Sequence, residues 1–224
     1  MQTVIGVSRG VVEILVHPDI RVVYNGIRPY SGQLYDRNEL AEQFGLKPGL
    51  SVTLAVGRLA PVKAFDNLIK AWDPSLGYLL IVGDGPERGS LTALIAARKL
   101  QDCVILAGFR DDVRALMSAA DLLVFSSHRE GFSYVLAESL LSRLPVLSTA
   151  VPGAMEVLPP DYLVAVNDVP ALRQGLARVL ADPESARRDL AAVFDWAQEA
   201  LTIDRMLADT LAIYHDVLQN RKGA

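Results

Sequence analysis

The sequence predicts an α/β fold: a doubly wound, mostly parallel Rossmann-like sheet of about six strands, with helices on both faces and a helical C-terminal extension. Two observations predict it. Short apolar runs recur along the chain, each followed by a polar, glycine-containing loop and then by a segment of helical periodicity. The runs are almost continuously apolar, which is typical of parallel strands covered on both faces.

The elements of this sheet follow from the runs and from the helical segments between them. The predicted strands are Val52–Val56, Tyr78–Val82, Val104–Ala107, Leu122–Phe125, Pro145–Ser148 and Tyr162–Ala165. The predicted helices, with apolar residues every three or four positions, are Ala64–Trp72, Leu91–Leu100, Val113–Ala119 and Tyr134–Ser142. Right-handed strand–helix–strand units of this kind predict the strand order 3-2-1-4-5-6.

Two regions flank the predicted sheet, and we interpret residues 1–46 as a lead-in region and 47–224 as the main domain, within one structural unit. The lead-in region contains predicted strands at Thr3–Val7 and Arg21–Tyr24, a helix near Val11–Val16, and a helix at Arg37–Phe44 that Asp36 and Glu39 open as a capping box. After Pro170 the chain reads as almost wholly helical. Its last helix has one apolar stripe, which predicts packing on its own domain: Ile203, Met206, Leu207, Thr210, Tyr214, Val217 and Leu218.

Composition excludes several classes of function. The 224 residues include 22 Lys and Arg against 26 Asp and Glu, and this net charge of −4 argues against nucleic-acid binding through bulk charge. The single cysteine, Cys103, predicts a small core residue and a reducing compartment, and three histidines argue against a Cys/His metal site. Neither a membrane-spanning apolar stretch nor a signal peptide is evident, so we expect a cytoplasmic protein.

The chemistry is expected beyond the carboxyl ends of the strands, where ligands bind in open α/β sheets. The segments that follow the first five strands are Gly57-Arg58 with Lys63, Gly83-Asp84-Gly85-Pro86, Gly108-Phe109-Arg110, Ser126 to Ser133, and Thr149 to Gly153. Each segment alone also fits a plain turn or a solvated charge. Together, glycines, two cations and helix N-termini on one edge predict a pocket for a phosphorylated ligand.

Two glutamates eight positions apart, Glu130 and Glu138, flank the start of the fourth helix. The spacing decides nothing by itself. Ser133 is a predicted N-cap, which puts Glu138 about 7 Å along the helix in an apolar neighbourhood. A carboxylate there needs a partner, and ligand hydroxyls would serve. We interpret His128 as a loop residue and Asn25-Gly26 as a tight turn.

Taken in order, these motifs resemble the C-terminal, donor-binding half of a family-4 (group 1) retaining glycosyltransferase of GT-B architecture. The resemblance covers roughly residues 20–220 and rests on an ordered set of motifs rather than on any one of them. They are Asn25-Gly26, Gly57-Arg58-Leu59, Lys63, Val82 to Pro86, Gly108, Asp121 to Ser126, Glu130-Gly131-Phe132, Glu138, Pro145-Val146 and Gly153 to Glu156.

The resemblance implies a role for each predicted site residue. Arg58 and Lys63 would neutralise the diphosphate of a nucleotide-sugar donor in place of a metal ion, so that no metal or cofactor is required. Glu130 would hold a hydroxyl of the donor sugar and Glu138 the ribose hydroxyls. The remaining positions implied to contact the donor are Gly57, Gly83, Gly108, the amides of Gly131, Phe132 and Ser133, and, at the base, Phe109 and Arg110. Arg58, Lys63 and Glu130 are the implied catalytic residues.

The chain departs from the family pattern at several positions. Ala64, Ser133 and Arg143 stand where glycine is usual, and Arg28 stands where aspartate is usual. The residue at 143 ends a predicted helix, so strain or a different cap is expected there. These departures leave the sugar, the base and the acceptor unassigned.

The larger departure is the expected absence of an N-terminal acceptor domain, because residues 1–46 leave no room for one. The chain is therefore expected to bind nucleotide sugar but to transfer little or nothing alone. We expect the full-length enzyme to transfer a hexosyl-type residue to a glycan or lipid-linked acceptor in polysaccharide or lipopolysaccharide synthesis. The missing domain is expected to allow peripheral association with the inner face of the membrane, and its absence to leave an apolar surface that favours self-association.

Three alternatives compete with this interpretation. The first is a non-catalytic nucleotide-sugar-binding subunit, and the second is a GT-B sugar-nucleotide epimerase or phosphorylase domain. The third, a dinucleotide oxidoreductase, is disfavoured because Pro86 interrupts the glycine turn and Gly89 lies one position too far along.

Overall fold

A computed structural model of the chain describes residues 3–12, 17 and 19–222. The elements of the lead-in region are β1 (Val4–Gly6), α1 (Arg9–Val12), β2 (Ile20–Val22) and α2 (Arg37–Phe44). The remaining strands are β3 (Val52–Val56), β4 (Tyr78–Val82), β5 (Val104–Gly108), β6 (Leu122–Phe125), β7 (Val146–Thr149) and β8 (Leu163–Val164). The remaining helices are α3 (Phe65–Ala71), α4 (Arg88–Ala97), α5 (Val113–Ala119), α6 (Tyr134–Leu141), α7 (Pro152–Met155), α8 (Val169–Ala181), α9 (Pro183–Asp189), α10 (Ala191–Ala200) and α11 (Ile203–Lys222).

The predicted sheet is confirmed. Strands β3 to β8 form one parallel sheet in the order β5-β4-β3-β6-β7-β8, which is the predicted order 3-2-1-4-5-6. Its central strands are buried along almost their whole length because helices cover both faces. All carboxyl ends of parallel strands meet at one edge, so the loops that follow them converge there.

The predicted element boundaries hold to within a few residues, and the differences have local causes. Helix α4 begins three residues before the predicted Leu91 and ends where Lys99 turns left-handed (φ 57°). Strand β8 is two residues shorter at its ends than predicted, since Tyr162 closes a 3₁₀ turn. Helix α1 covers only the beginning of the predicted Val11–Val16 helix, and residues 13–16 lie outside the described part of the chain.

Two local predictions about side chains are confirmed. Asp36 accepts hydrogen bonds from the amides of Asn38 and Glu39, and the Glu39 carboxylate accepts one from the Asp36 amide, which completes the capping box. Cys103 is buried at the start of β5 and forms no disulfide. Among the residues that the structure describes, no helix is both long enough and apolar enough to cross a bilayer.

Two departures from the family pattern adopt the left-handed conformation that glycine would favour. Ala64, between Lys63 and α3, has φ 48°, and Arg143, after α6, has φ 53°. The Arg143 guanidinium pairs with Asp195 at 2.8 Å and lies over the Phe194 ring, so its side chain has contacts that a glycine would lack. The strain expected at this helix end is therefore present in the backbone.

The prediction for the last helix is wrong for its outer face. Of the predicted stripe, Ile203, Met206, Thr210 and Val217 are half-buried, whereas Leu207, Tyr214 and Leu218 are more than half exposed, as is Leu211. Helix α11 packs one side against its own chain, where Arg21 of β2 pairs with Asp216 at 2.9 Å. The apolar stripe is wider than this contact, so an apolar face remains uncovered.

The left-handed Lys99 gives a test of helix-end strain. Its side chain is exposed and its backbone already makes the hydrogen bonds of a helix C-terminus, with the amide of Leu100 donating to Ile95 O at 3.0 Å. Lys99→Gly should raise the free energy of unfolding by about 0.5–1 kcal/mol, because glycine adopts this conformation without a steric penalty. Chemical denaturation measures the change. Lys99→Ala, which keeps the Cβ atom, should give no such gain, and an equal gain in both variants would contradict this explanation.

Candidate functional site

The carboxyl edge of the sheet is built from glycine turns that touch one another through backbone atoms. The Gly57 amide donates to Val82 O at 2.9 Å, and the Gly83 amide donates to Gly108 O at 2.7 Å. A Cβ atom on Gly83 would lie 2.0 Å from Gly57 O, and one on Gly85 would lie 2.4 Å from Leu59 O. The three strand ends therefore pack at a separation that side chains do not allow.

A cavity of about 350 Å³ lies above these turns. Its lining includes Gly57, Arg58, Gly83, Phe109 and Arg110. The Arg58 side chain is exposed, and its guanidinium forms neither a hydrogen bond nor an ion pair with the described residues. Phe109 is 81% exposed. An unpaired guanidinium beside an exposed aromatic ring can bind a phosphate and stack on a planar group.

Arg110, by contrast, is already engaged. Its Nε donates to Asp112 Oδ1 at 2.7 Å, a second guanidinium nitrogen reaches Asp112 Oδ2, and its plane lies over the Phe44 ring. The guanidinium holds the pKa of the Asp112 carboxyl below its usual range. Arg110 is thus a rigid wall of the cavity.

Lys63 and Glu130 meet in an ion pair, although 67 residues separate them in the sequence. The Lys63 ammonium lies 2.9 Å from each oxygen of the Glu130 carboxylate, and both side chains are less than one fifth exposed. The Ser126 hydroxyl donates to the Lys63 carbonyl at 2.8 Å, and the His128 amide donates to Val62 O at 2.8 Å. The loop after β6 is thereby tied to the loop after β3.

The loop after β6 ends at helix α6, whose first turn is capped as predicted. Ser133 Oγ accepts a hydrogen bond from the Leu136 amide at 3.1 Å. Phe132 is buried, and its ring lies 5.2 Å from that of Tyr24. The amides of Gly131 and Phe132 donate to no residue in the described ranges, so they are available to an oxyanion or hydroxyl ligand at the positive end of a helix.

Glu138 lies in a second cavity of about 490 Å³, on the other side of the start of α5. Val113 lines the first cavity, and the next residue, Arg114, lines the second together with Arg28, Tyr30 and Glu138. Burial raises the pKa of the Glu138 carboxyl, and the charge of Arg114 opposes this rise. No hydrogen bond to this carboxylate comes from the described residues.

Arg114 is a residue that sequence reasoning missed. Its guanidinium donates to the Arg28 carbonyl at 2.8 Å and lies over the Tyr30 ring, while its Nε is buried without a partner within the described chain. The available signal was a charged side chain in the first turn of a helix that follows the predicted third strand. Of the predicted site residues, Gly57, Arg58, Gly83, Phe109 and Arg110 line the first cavity and Glu138 lines the second. Gly108, the Lys63–Glu130 pair and the loop from Gly131 to Ser133 line neither of these two cavities, although they follow strands of the same sheet edge.

The chain matches a known protein family and several curated proteins. The sequence profile described as "Glycosyl transferases group 1" matches residues 36–191. The chain belongs to this family. Curated relatives include the N-acetyl-alpha-D-glucosaminyl L-malate synthase of Bacillus anthracis, 27% identical over 93% of the chain and 57% of that protein. Another is the 2-deoxystreptamine glucosyltransferase of Streptomyces kanamyceticus, 30% identical over 80% of the chain and 49% of that protein.

Solved structures of GT-B architecture confirm the predicted Rossmann-like fold of the chain. Sucrose-phosphate synthase from Thermosynechococcus elongatus superposes with a TM-score of 0.84 at 24% identity, over 97% of the chain and 59% of that structure. The Anabaena protein HepE, in complex with UDP, superposes with a TM-score of 0.82 at 23% identity, over 97% and 64%. The chain therefore spans about half to two thirds of the length of these relatives.

The glycine turns give a test of the site's construction. Gly83→Ala places a Cβ atom 2.0 Å from the Gly57 carbonyl oxygen, whereas a Cβ atom on Gly108 meets nothing within 4 Å although φ is 74°. Gly83→Ala should lower the free energy of unfolding by about 3 kcal/mol or more, because backbone must move. Gly108→Ala should cost about 1 kcal/mol, from conformational strain alone. Equal losses in thermal or urea unfolding would contradict the close approach.

Glu138 gives a test of pH dependence. Its folded pKa is raised above that of the unfolded chain, so the ionised form destabilises the fold at neutral pH, and this penalty disappears as the pH falls through the folded pKa. Glu138→Gln should therefore raise Tm at pH 7, by an amount that shrinks towards zero near pH 4. The exposed Glu42→Gln in α2 is the matched control, for which we expect no such pattern. A gain that grows on acidification would overturn the burial argument.

Proposed function

We propose that this chain binds a nucleoside diphosphate-sugar and supplies the donor half of a metal-independent, retaining transfer of a hexosyl-type residue. The observation that carries the proposal is the meeting of Arg58, Lys63, Glu130 and the α6 N-terminus at one sheet edge. Such an edge offers two cations to a diphosphate and a carboxylate and amides to a sugar. Structures of HepE with UDP and with UDP-glucose support a donor of this class.

The proposed reaction depends on charge at the leaving group. As the bond between the anomeric carbon and the diphosphate oxygen breaks, negative charge grows on the diphosphate. Arg58 and Lys63 would stabilise this charge, which is the role that a metal ion has in other transferases. Glu130 would hold a sugar hydroxyl, and the amides of Gly131, Phe132 and Ser133 would bind sugar or phosphate oxygens. Each charge-assisted hydrogen bond would contribute about 1.5–3 kcal/mol.

The nucleoside would lie across the start of α5, with its base in the first cavity and its ribose towards the second. Glu138 would accept hydrogen bonds from the ribose hydroxyls, which provides the polar partners that its half-buried carboxylate lacks among the described residues. The base would lie against Phe109 and Arg110, near the backbone of Gly57, Gly83 and Gly108. The departures of this chain from the family pattern leave the base and the sugar unassigned, and a glycan or lipid-linked acceptor is the proposed acceptor class.

The acceptor would bind to a further domain, and the exposed apolar residues point to where that domain packs. Ile5 and Val7 of the β1 region and Leu207, Leu211 and Tyr214 of α11 are each more than one third exposed. Exposed apolar side chains grouped on one helix face mark an interface. The same face fits a second candidate, a non-catalytic nucleotide-sugar-binding subunit completed by another chain. Product formation after co-expression with an acceptor domain distinguishes a donor domain from that subunit.

Calorimetry with UDP, GDP, ADP and their glucose conjugates tests the donor site. We expect one nucleotide to bind and Arg58→Ala to weaken it roughly 10- to 100-fold, the effect of losing one charge-assisted contact. Arg98→Ala, at the exposed end of α4, is the control and should bind as the wild type does. A correctly folded protein that binds none of these compounds would falsify the donor-site proposal.

Glu130→Gln separates the two roles of the Lys63–Glu130 pair in the same calorimetric experiment. It frees the Lys63 ammonium from a carboxylate at 2.9 Å, so the nucleoside diphosphate alone should bind tighter, by about tenfold. The sugar conjugate should gain less because a sugar contact is lost. Lys63→Ala should weaken both ligands, and weaker binding of the bare nucleotide to Glu130→Gln would contradict this view.

A further inference from the structure

The loop from Glu130 to Ser133 is held by residues outside the six-stranded sheet. The Asn25 side-chain amide donates to the Phe132 carbonyl at 2.9 Å, across 107 residues of sequence. The Tyr24 ring lies 5.2 Å from the Phe132 ring, and Trp196 of α10 lies 5.4 Å from Tyr24 and 6.4 Å from Phe132. Phe132 is thus fixed through both its ring and its carbonyl.

The Tyr24 ring is itself fixed from the other side. Its hydroxyl donates to Glu156 Oε1, and the Arg9 amide donates to Glu156 Oε2 at 2.9 Å. The Glu156 side chain is only 9% exposed. Burial and the Glu156 carboxylate raise the pKa of Tyr24 to about 12, so the phenol stays protonated and continues to donate at any working pH.

Helix α7 completes the frame beneath the loop. A Cβ atom on Gly153 would lie 2.1 Å from the Gly131 carbonyl oxygen, so the two backbones are in direct contact. A Cβ atom on Gly10 would lie 2.6 Å from Pro152, which places α1 against the other side of α7. The lead-in segment therefore reaches the loop by two routes, through α7 and through Asn25.

Asn25 is anchored on its own side by the junction of α10 and α11. The Ile27 amide donates to Leu201 O at 2.8 Å, and a Cβ atom on Gly26 would lie 2.6 Å from Thr202 O. The backbone of the Asn25-Gly26 turn is packed against this junction, so the turn is held in place independently of the loop from Glu130 to Ser133. The Asn25 amide is consequently a fixed donor rather than an adaptable one.

We propose that Asn25 is a positioning residue for the donor site. Its amide fixes the Phe132 carbonyl and thereby sets where the Glu130 carboxylate and the amides of Gly131 and Phe132 meet the donor sugar. This assignment rests on the proposed function, since the sugar is the ligand that the loop would hold. The contacts proposed for Glu138 with the ribose and for Arg58 with the diphosphate lie outside the loop, so the sugar is the part of the donor that depends most on the loop's position.

Asn25→Asp tests the proposal with a change of almost no volume. The carboxylate cannot donate to the Phe132 carbonyl and repels it, so the loop loses its anchor. Calorimetry uses the tightest of UDP, GDP and ADP and the glucose conjugate of that nucleotide. We expect the sugar conjugate to bind about tenfold more weakly. The bare nucleotide should change by less than about threefold. Asn38→Asp, the same change on the exposed start of α2, is the control and should alter neither affinity.

The ratio of the two affinities is the decisive readout, because a purely structural loss would weaken both ligands alike. Backbone order parameters of Gly131 and Phe132 give a second readout without nucleotide: they should fall from about 0.85 towards 0.6 in Asn25→Asp only. An unchanged ratio together with unchanged order parameters would overturn the proposal. If the wild type binds no nucleotide, the proposed function fails, and the order parameters alone decide whether Asn25 holds the loop.

Discussion

The close approach of three glycine turns at the carboxyl edge of the sheet is the constraint on which the site depends. The ends of β3, β4 and β5 exchange backbone hydrogen bonds of 2.7–2.9 Å between Gly57, Val82, Gly83 and Gly108. A Cβ atom at Gly57 would also lie 3.0 Å from the Lys63 side chain. The missing side chains therefore do two things: they let the strand ends meet, and they leave the space through which Lys63 reaches Glu130.

Some of the charged groups at this edge lower the stability of the folded chain. Lys63 and Glu130 satisfy one another, but the Arg58 guanidinium has no partner within the described residues, and the half-buried Glu138 carboxylate faces the charge of Arg114 without a hydrogen bond. A carboxylate without hydrogen-bond donors destabilises a fold, and such a residue persists where function needs it. Because cationic side chains collect at this edge, a chain of net charge −4 can still offer a local site to an anion.

Local sequence patterns predict much of this architecture. Continuous apolar runs specify buried parallel strands, and the glycines after them mark the edge where ligands bind, so the sheet, its strand order and the positions of the site loops could be predicted. Contacts between residues far apart in the sequence could not be predicted in this way. Lys63 with Glu130 and Asn25 with Phe132 meet only because the strands place their loops side by side. Helical periodicity likewise identified the apolar stripe of α11 but not which half of it the chain covers.

The uncovered face and the loop from Glu130 to Ser133, the proposed donor loop, belong to one connected piece of structure. Parallel strands are normally covered on both faces and rarely stand as a pair, yet β1 and β2 form a two-stranded parallel sheet. Helix α1 packs against both strands and also contacts α7, and Arg21 of β2 pairs with Asp216 of α11. Ile5 of β1 is exposed on this unit, and the residues a few positions after β2 are Tyr24 and Asn25. A domain packed on this face, as proposed for the acceptor half, would contact the segment that carries Tyr24 and Asn25, which fix Phe132. The donor loop would then be held in place most firmly when both substrates' domains are present, which couples assembly of the cleft to the geometry of the sugar site.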